Sequence, residues 1–274
     1  HHPDTQIWFD TIDLHYLRLR RQHELDQSPA TLKMAEMAYH EECEVISKSD
    51  LTIVVSEGEV TELANEAPDA KVAVISNIHE VARDRPAFDD RRGVMFVGGF
   101  QHPPNIDAVE YYANEIWPLL TERCPDLETY VIGSRMPDRL KRLGESRGLK
   151  MLGFVEDLTP YYESCALAIA PLRYGAGVKG KVNQALSFGL PVVGSPVAFE
   201  GMGLTHEREV MVAETAEDFA ESVAKVCADR ALWLTLSERG GASLAGRFTP
   251  EVAEAALRDV LAPWLDERDL KTVG

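Results

Sequence analysis

Short apolar runs alternate with longer segments of helical period along most of this chain. The apolar runs are bounded by glycine, proline or acidic residues. This alternation is typical of βαβ units, and it predicts an α/β fold built on a doubly wound parallel sheet. Strands are predicted at residues 7–9, 51–55, 72–75, 94–97, 128–132, 150–152, 167–170, 191–193 and 210–212. Helices are predicted at residues 30–48, 106–120, 179–188, 216–228 and 250–265.

The periodic pattern fails between Asn77 and Arg92, where the charged stretch IHEVARDRPAFDDRR has no regular spacing of apolar residues. We interpret this stretch as an interdomain linker. The predicted organisation is an incomplete α/β part over residues 1–90, a complete domain over residues 91–248, and a C-terminal helix over residues 249–274 that packs back toward the first part. Few strands precede the linker and the chain does not begin with Met, so we expect a piece of a longer protein.

The composition is that of a soluble globular protein, with 45% hydrophobic and 27% charged residues. A formal net charge of −17 repels phosphate backbones, which argues against nucleic acid as a partner. No apolar run approaches the length of a membrane span, and the N-terminal residues do not resemble a signal peptide. The four cysteines lie far apart and are expected to be reduced thiols, so we predict a cytoplasmic location.

Several predicted strands end in glycine, at Gly98-Gly99, Gly133, Gly153 and Gly194. Ligands of open parallel sheets bind beyond the carboxyl ends of the strands, where a glycine allows backbone N–H groups to approach a ligand closely. Each glycine taken alone is equally explained by turn geometry or by close packing of a helix on a strand. Several glycines along one sheet edge favour a binding cleft.

The stretch PLRYGAGVKGKVNQALSFGLP, residues 171–191, combines a strand exit, a glycine-rich loop and an apolar-periodic helix. Gly175 and Gly177 leave the loop amides accessible, and a helix that begins near Val178 offers its N-terminus to an anion. Lys179 and Lys181 add cations, and Gln184 shares a helix face with Lys181. This arrangement fits a diphosphate and its ribose. The alternative is that these side chains are solvated surface residues.

Residues 175–180 also match the dinucleotide motif G-x-G-x-x-G. That motif should follow the first strand of its domain, whereas this loop follows roughly the fourth. The next strand ends in Gly194-Ser195 and not in the acidic residue that would bind a ribose. The motif therefore gives little support to a dinucleotide enzyme, and the absence of GK[ST] argues against a P-loop.

Taken in order, five segments of the chain resemble the nucleotide-binding C-terminal domain of GT-B glycosyltransferases, nearest to family 4. The segments are GVMFVGGF, PPNIDAVEYYANEIWPLL, ETYVIGS, the run from MLGFVEDL to SFGLPVV, and EGM. The resemblance extends more weakly to IWFDTIDLHYLR, LTIVVSE and VAVISN, as late strands of an acceptor domain. It implies two facing Rossmann-like domains that transfer a sugar from a nucleoside diphosphate sugar to a glycan or lipid-linked acceptor, with retention and without a metal or cofactor.

The resemblance also implies roles for individual residues. Gly98, Gly99 and Phe100 would approach the diphosphate, the stretch from Phe154 through Val155 to Leu158 would bind the base, and the donor loop would run from Gly175 to Val178. The family's two signature glutamates are replaced here, the first by Ala176 and the second by Gln184. Gln184 retains the ability to hydrogen-bond a ribose hydroxyl, whereas Ala176 offers only its backbone.

Two further departures concern charge and the acceptor side. The family's basic residue after the first strand is missing at Gln101, so Lys181 becomes the best cation for the leaving diphosphate. In the first part, Ile12 occupies the place of the family's usual histidine, which leaves Asp13 and His15 as catalytic candidates beside a structural role for both. The basic run of Arg18, Arg20 and Arg21 is expected to contact an acceptor phosphate or a membrane surface, or to be a solvated helix face.

The predicted function is therefore that of a nucleotide-sugar-dependent glycosyltransferase in polysaccharide biosynthesis, cytoplasmic or peripheral at the inner face of the membrane through a missing N-terminal part. With an incomplete acceptor part, this chain alone should transfer sugar poorly. Two alternatives stay open. A sugar-nucleotide 2-epimerase shares the architecture, and a non-catalytic nucleotide-binding module would explain the loss of both glutamates. The donor sugar, the base, the acceptor and the oligomeric state are not predicted.

Overall fold

The computed structural model describes residues 5–81 and 87–263. The strands of this part are β1 (Trp8–Asp10), β2 (Leu51–Val54), β3 (Val72–Val74), β4 (Val94–Val97), β5 (Thr129–Ile132), β6 (Lys150–Gly153), β7 (Leu167–Ala170), β8 (Val192–Gly194) and β9 (Met211–Val212). The α-helices are α1 (His15–Asp26), α2 (Pro29–Lys48), α3 (Glu57–Glu66), α4 (Pro103–Tyr111), α5 (Trp117–Arg123), α6 (Asp138–Ser146), α7 (Thr159–Ser164), α8 (Gly180–Ser187), α9 (Ala216–Ala228), α10 (Arg230–Ala245) and α11 (Pro250–Leu261). Every predicted strand is present, and most bounds move by only one residue.

Two compact units make up the chain. The first contains the described residues up to Glu80, the short segment Ala176–Val178 and the described residues from Gly246 onward. The second contains the described residues from Val81 to Gly175 and from Lys179 to Ala245. The three residues 176–178 thus belong by their contacts to the first unit, although the residues on both sides of them in sequence belong to the second.

The first unit is built on a parallel sheet in the order β1-β2-β3. Its core is a cluster of buried residues from the sheet and from α1, α2 and α3: Leu14, Tyr16, Ile46, Val54 and Leu63. Helix α2 begins where the Ser28 side chain accepts a hydrogen bond from Thr31 N and Pro29 occupies the first turn, which is a favourable start for a helix.

The second unit is a six-stranded parallel sheet in the order β6-β5-β4-β7-β8-β9. The chain builds outward from β4 to β5 and β6, and it then returns to place β7 on the other side of β4. The direction of winding therefore reverses between β4 and β7. In doubly wound sheets this reversal opens a crevice at the carboxyl ends of the two strands, and ligands bind there.

The helix predicted over residues 106–120 is interrupted in the structure. Helix α4 ends at Tyr111, a π-helical turn covers Tyr112–Ile116, and α5 begins at Trp117. Pro118 lies in the first turn of α5 and has no N–H to donate to the preceding turn, so the α-helical hydrogen-bond ladder cannot pass through it unchanged. The apolar period alone did not reveal this break.

Arg91, the first residue of the predicted domain over 91–248, lies in the interior of the second unit. Arg91 is 3% exposed, and its guanidinium donates to the carbonyls of Tyr162 and Cys165 at 2.8 and 3.0 Å and lies 5.0 Å from the centre of the Trp233 ring. A charged residue in an aperiodic stretch is here part of the second unit's interior, because its hydrogen bonds compensate for the loss of water. Within residues 5–81 and 87–263, no helix combines the length and apolar character that crossing a membrane requires.

Candidate functional site

The carboxyl ends of β4 and β5 approach each other so closely that glycine is required. A Cβ at Gly133 would overlap the carbonyl oxygen of Gly98, and a Cβ at Gly98 would lie 2.8 Å from the side-chain amide of Asn105. Gly98 N donates to Ile132 O at 3.0 Å, which holds the two strand exits together. Close packing of the ends of β4 and β5 is thus sufficient to explain why glycine occupies positions 98 and 133. Close packing was the alternative to a ligand-binding role for these glycines.

Asn105 connects the exit of β4 to helix α8. It lies in the first turn of α4 and is 5% exposed. Its Nδ2 donates to Gly99 O at 2.7 Å, and its Oδ1 accepts a hydrogen bond from Lys181 Nζ. Because Lys181 follows β7 and Gly99 follows β4, this bond spans the point where the winding of the sheet reverses. Sequence reasoning missed Asn105, although the Pro103-Pro104 start of a helix directly after the glycine pair pointed to this position.

The Lys181 ammonium group is held in a poorly solvated place. Its Nζ lies 4.6 Å from the centre of the Phe96 ring, a favourable cation–π distance. Burial, together with the positive charge of Lys179, lowers the pKa of Lys181 to about 7. An anion bound beside this group would favour its charged form. Lys181 is therefore suited to bind an anionic group at the reversal point.

Lys179 is not solvated, although a solvated side chain was one of the two alternatives that the sequence left open. Its side chain is 7% exposed, and its Nζ lies 3.8 Å from Glu200 Oε2. Lys179 is also the N-cap of α8, so the helix begins at Gly180 and not near Val178. The expectation of a helix start at Val178 is wrong because Lys179 has an extended backbone, with φ −85° and ψ 95°.

Gln184 and Lys181 have different partners within the second unit. Gln184 Nε2 donates to Ser187 Oγ at 3.4 Å, one turn further along α8. Gln184 is only partly buried. The amide is therefore held against its own helix, whereas the lysine is held by Asn105.

The predicted base-binding stretch presents one aromatic ring to solvent. Phe154 is 73% exposed directly after Gly153, which has φ +71° and turns the chain at the end of β6. Val155 is partly buried. Leu158 caps α7 and accepts hydrogen bonds from the backbone of Tyr161 and Tyr162 at 3.0 and 3.1 Å. Phe100, by contrast, is 3% exposed and packs on Phe96, so its side chain belongs to the core.

A cation that sequence reasoning missed follows the second glycine-ended strand. Arg135 has a left-handed backbone, with φ +55°, and with the Gln101 amide suitably oriented its Nε and Nη1 donate to Gln101 Oε1 at 2.8 and 2.9 Å. Gln101 occupies the place where the family's basic residue was missing. The charge near this position is thus supplied by a residue from the neighbouring strand exit.

In the first unit, Asp13 and His15 make close polar contacts at the start of α1. His15 Nε2 lies 3.0 Å from Asp13 Oδ1, and His15 Nδ1 lies 4.0 Å from Glu42 Oε1. The other oxygen of Asp13 accepts a hydrogen bond from Arg18 Nε at 3.1 Å. Both ring nitrogens of His15 therefore face carboxylates. This geometry is compatible with the structural role and with the catalytic one, and both stay predictions.

Two of the three arginines of the basic run on α1, Arg18 and Arg20, have acidic partners within the first unit. Arg18 pairs with Asp13, and Arg20 donates to Glu66 Oε1 at 2.7 Å while its guanidinium stacks on Tyr16 and Tyr39. These contacts favour the surface-structural explanation of the run over an acceptor-phosphate site. Within the described ranges, no group of three or more His, Cys, Asp or Glu side chains is arranged to hold a metal ion.

The parallel sheets and the reversal of winding between β4 and β7 are those of a Rossmann-like α/β fold of the GT-B type. The family described as glycosyl transferases group 1 matches residues 91–229, which is more than half of the chain, and the chain belongs to this family.

Three known proteins illustrate the similarity. An uncharacterised 44.6 kDa protein from the cps region of Klebsiella pneumoniae is 27% identical over 138 residues, which cover 47% of this chain and 36% of that protein. The crystal structure of TarM, a Staphylococcus aureus protein, superposes with a TM-score of 0.76 at 15% identity and covers 96% of this chain and 51% of TarM. HepE from Anabaena, crystallised with UDP and glucose, gives a TM-score of 0.72 at 14% identity over 93% of this chain and 71% of HepE.

The chain thus spans about half the length of TarM, and its match spans about a third of the Klebsiella protein. At these low identities the two structures show the shared fold, and the family match shows the relationship.

Proposed function

We propose that this chain is the donor-binding part of a glycosyltransferase that takes a sugar from a nucleoside diphosphate sugar. The observation that carries the proposal is the group formed by Gly98, Gly99, Asn105 and Lys181 at the reversal point of the second sheet. Departure of a nucleoside diphosphate leaves negative charge on its terminal phosphate. A fixed ammonium at that point would stabilise the charge as it develops.

The two lysines support a reaction that needs no divalent metal. Lys179 is a cation, and Lys181 is expected to take up its positive charge when an anion binds beside it. Both lie at the start of α8, where the backbone N–H groups also favour an anion. We further propose retention of the anomeric configuration and a glycan or lipid-linked acceptor in polysaccharide biosynthesis. The family-4 resemblance and the cps-region relative support these finer points.

The specific observation for a second candidate is the pair Ala176 and Gln184, which replace the two glutamates of the family signature. A nucleotide-binding module without transferase activity would tolerate both changes. A 2-epimerase of the same architecture is a further outcome to be tested. It would release UDP and N-acetylmannosamine from UDP-N-acetylglucosamine with no acceptor present.

Titration calorimetry with UDP, ADP and GDP in EDTA tests the donor-binding role. We expect one nucleotide to bind with its affinity unchanged when EDTA replaces Mg²⁺. Binding of none of them would refute the donor-binding role, and binding that needs Mg²⁺ would refute the metal-free part.

Incubation with UDP-sugars then separates the remaining candidates. Slow hydrolysis of the sugar favours the transferase, release of N-acetylmannosamine favours the epimerase, and no turnover favours the binding module. We expect this chain alone to transfer sugar poorly and a version extended at the N-terminus to transfer it well, because positioning of the acceptor supplies much of the rate.

A further inference from the structure

Asn77 contacts the glycine-rich loop across a long separation in sequence. It follows β3 in the first unit, and its Nδ2 donates to Val178 O at 3.1 Å, over a sequence separation of 101 residues. Both residues belong to the first unit. Neither the reaction proposed above nor the family signature assigns Asn77 a role.

The rest of the loop tip is confined by neighbours in the same unit. Gly177 has φ +66°, a backbone conformation that favours glycine. A Cβ at this position would lie 3.1 Å from Val55 Cγ2, 3.3 Å from Asp13 Cβ and 3.4 Å from Glu59 Oε1. Val55 N in turn donates to Glu59 Oε2 at 2.9 Å, so the wall facing Gly177 is itself held by a hydrogen bond.

The bond to Val178 O fixes more than one atom. The carbonyl of Val178 and the N–H of Lys179 belong to one planar trans peptide, in which the two groups point in opposite directions. Holding the carbonyl toward Asn77 therefore directs the Lys179 N–H away from Asn77. Lys179 is the N-cap of α8, the helix that carries Lys181.

We propose that Asn77 is a positioning residue for the glycine-rich loop, and that it sets the peptide orientation at the start of α8 through Val178 O. The expected effect of Asn77 on ligand affinity rests on the proposed donor-binding function, whereas its expected effect on the conformation of the loop does not. Without the bond, residues 176–179 sample other conformations, and a nucleoside diphosphate must order them when it binds.

The test compares three variants of the full chain. Asn77→Asp keeps the volume of the side chain but replaces the donating amide with an oxygen that repels the Val178 carbonyl. Asn77→Ala removes both the volume and the bond. Asn65→Ala is the matched control, because Asn65 Nδ2 makes the same type of bond at the same 3.1 Å, to Thr61 O on the exposed side of α3.

The first readout is amide hydrogen exchange in the peptide that contains residues 175–181. We expect faster exchange in Asn77→Asp and Asn77→Ala and unchanged exchange in Asn65→Ala. Wild-type exchange in Asn77→Asp would overturn the inference, because it would show that only the volume of the side chain matters. Circular dichroism and thermal unfolding verify that each variant is folded. If Asn77→Ala does not fold, the isosteric variant Asn77→Asp still tests the inference.

The second readout is the dissociation constant for UDP from titration calorimetry. Loss of one neutral hydrogen bond should raise it about three- to tenfold in both Asn77 variants and leave it unchanged in Asn65→Ala. Faster exchange with an unchanged UDP affinity would refute the link between the loop and donor binding. If the wild type binds no nucleotide, the proposed function fails, whereas the exchange experiment still decides the role of Asn77.

Discussion

Replacement of Lys181 by Met tests the centre of the candidate site. Methionine retains a long, flexible apolar side chain that packs on Phe96, but it removes the ammonium group. A hydrogen bond between a charged group and its partner contributes about 1.5–3 kcal/mol. We therefore expect the dissociation constant of UDP to rise by roughly 10- to 160-fold in Lys181→Met.

The pH dependence of binding separates this lysine from other cations. In the free protein, burial and the nearby Lys179 lower the pKa of Lys181 to about 7, so above pH 7 most molecules carry a neutral amine. A bound diphosphate favours the ammonium form and raises that pKa again. Binding above pH 7 should therefore take up close to one proton, and the affinity should fall as the pH rises.

Titration calorimetry at pH 8 in two buffers of different ionisation enthalpy measures this proton uptake directly. Lys150→Met is a suitable control, because Lys150 begins β6, has a side chain 52% exposed and pairs with Glu128 at 3.4 Å. We expect proton uptake in the wild type and in the control variant, and none in Lys181→Met. Equal UDP affinities for the wild type and Lys181→Met would refute the assignment of this ammonium to the ligand.

Three further predictions concern stability. The pKa of Lys181 is lower in the folded protein than in the unfolded chain, so between about pH 7 and 10.5 the unfolded chain binds one more proton than the folded protein. The stability of the wild type relative to Lys181→Met should therefore rise with pH in that window, and urea unfolding at several pH values measures this. Gly133→Ala should destabilise the protein by roughly 3 kcal/mol, because the added Cβ would overlap Gly98 O. The control Gly246→Ala has open space around the added Cβ and should not destabilise the protein. Similar unfolding midpoints for the two variants would contradict the close packing of β4 and β5. Asn183 is fully buried, and neither its side-chain oxygen nor its side-chain nitrogen has a hydrogen-bond partner among the described residues. Asn183→Leu should therefore stabilise the protein by about 1–3 kcal/mol in thermal unfolding. A lower melting temperature of the variant would contradict this prediction.

The sequence by itself determined the fold class and indicated the candidate site along the chain. Short apolar runs separated by amphipathic segments leave few alternatives to a parallel sheet covered by helices, because every backbone group and every apolar face must be satisfied. The predicted runs are all strands, and the glycine-ended exits at Gly98 and Gly133 lie on neighbouring strands. Lys181 was predicted as a site residue from its position in the glycine-rich stretch, and its role there stays a prediction.

Only the tertiary structure decided which side chains meet. Asn105 and Lys181 are 76 residues apart, and Asn77 and Val178 are 101 apart, so their pairing depends on strand order and not on any local pattern. Lys179 was predicted as a donor-binding cation, with a solvated lysine as the alternative, and only the structure showed that its side chain is buried beside Glu200 from a later loop. Periodicity records which face of an element is apolar, whereas the partner of a polar group is set by where distant elements pack.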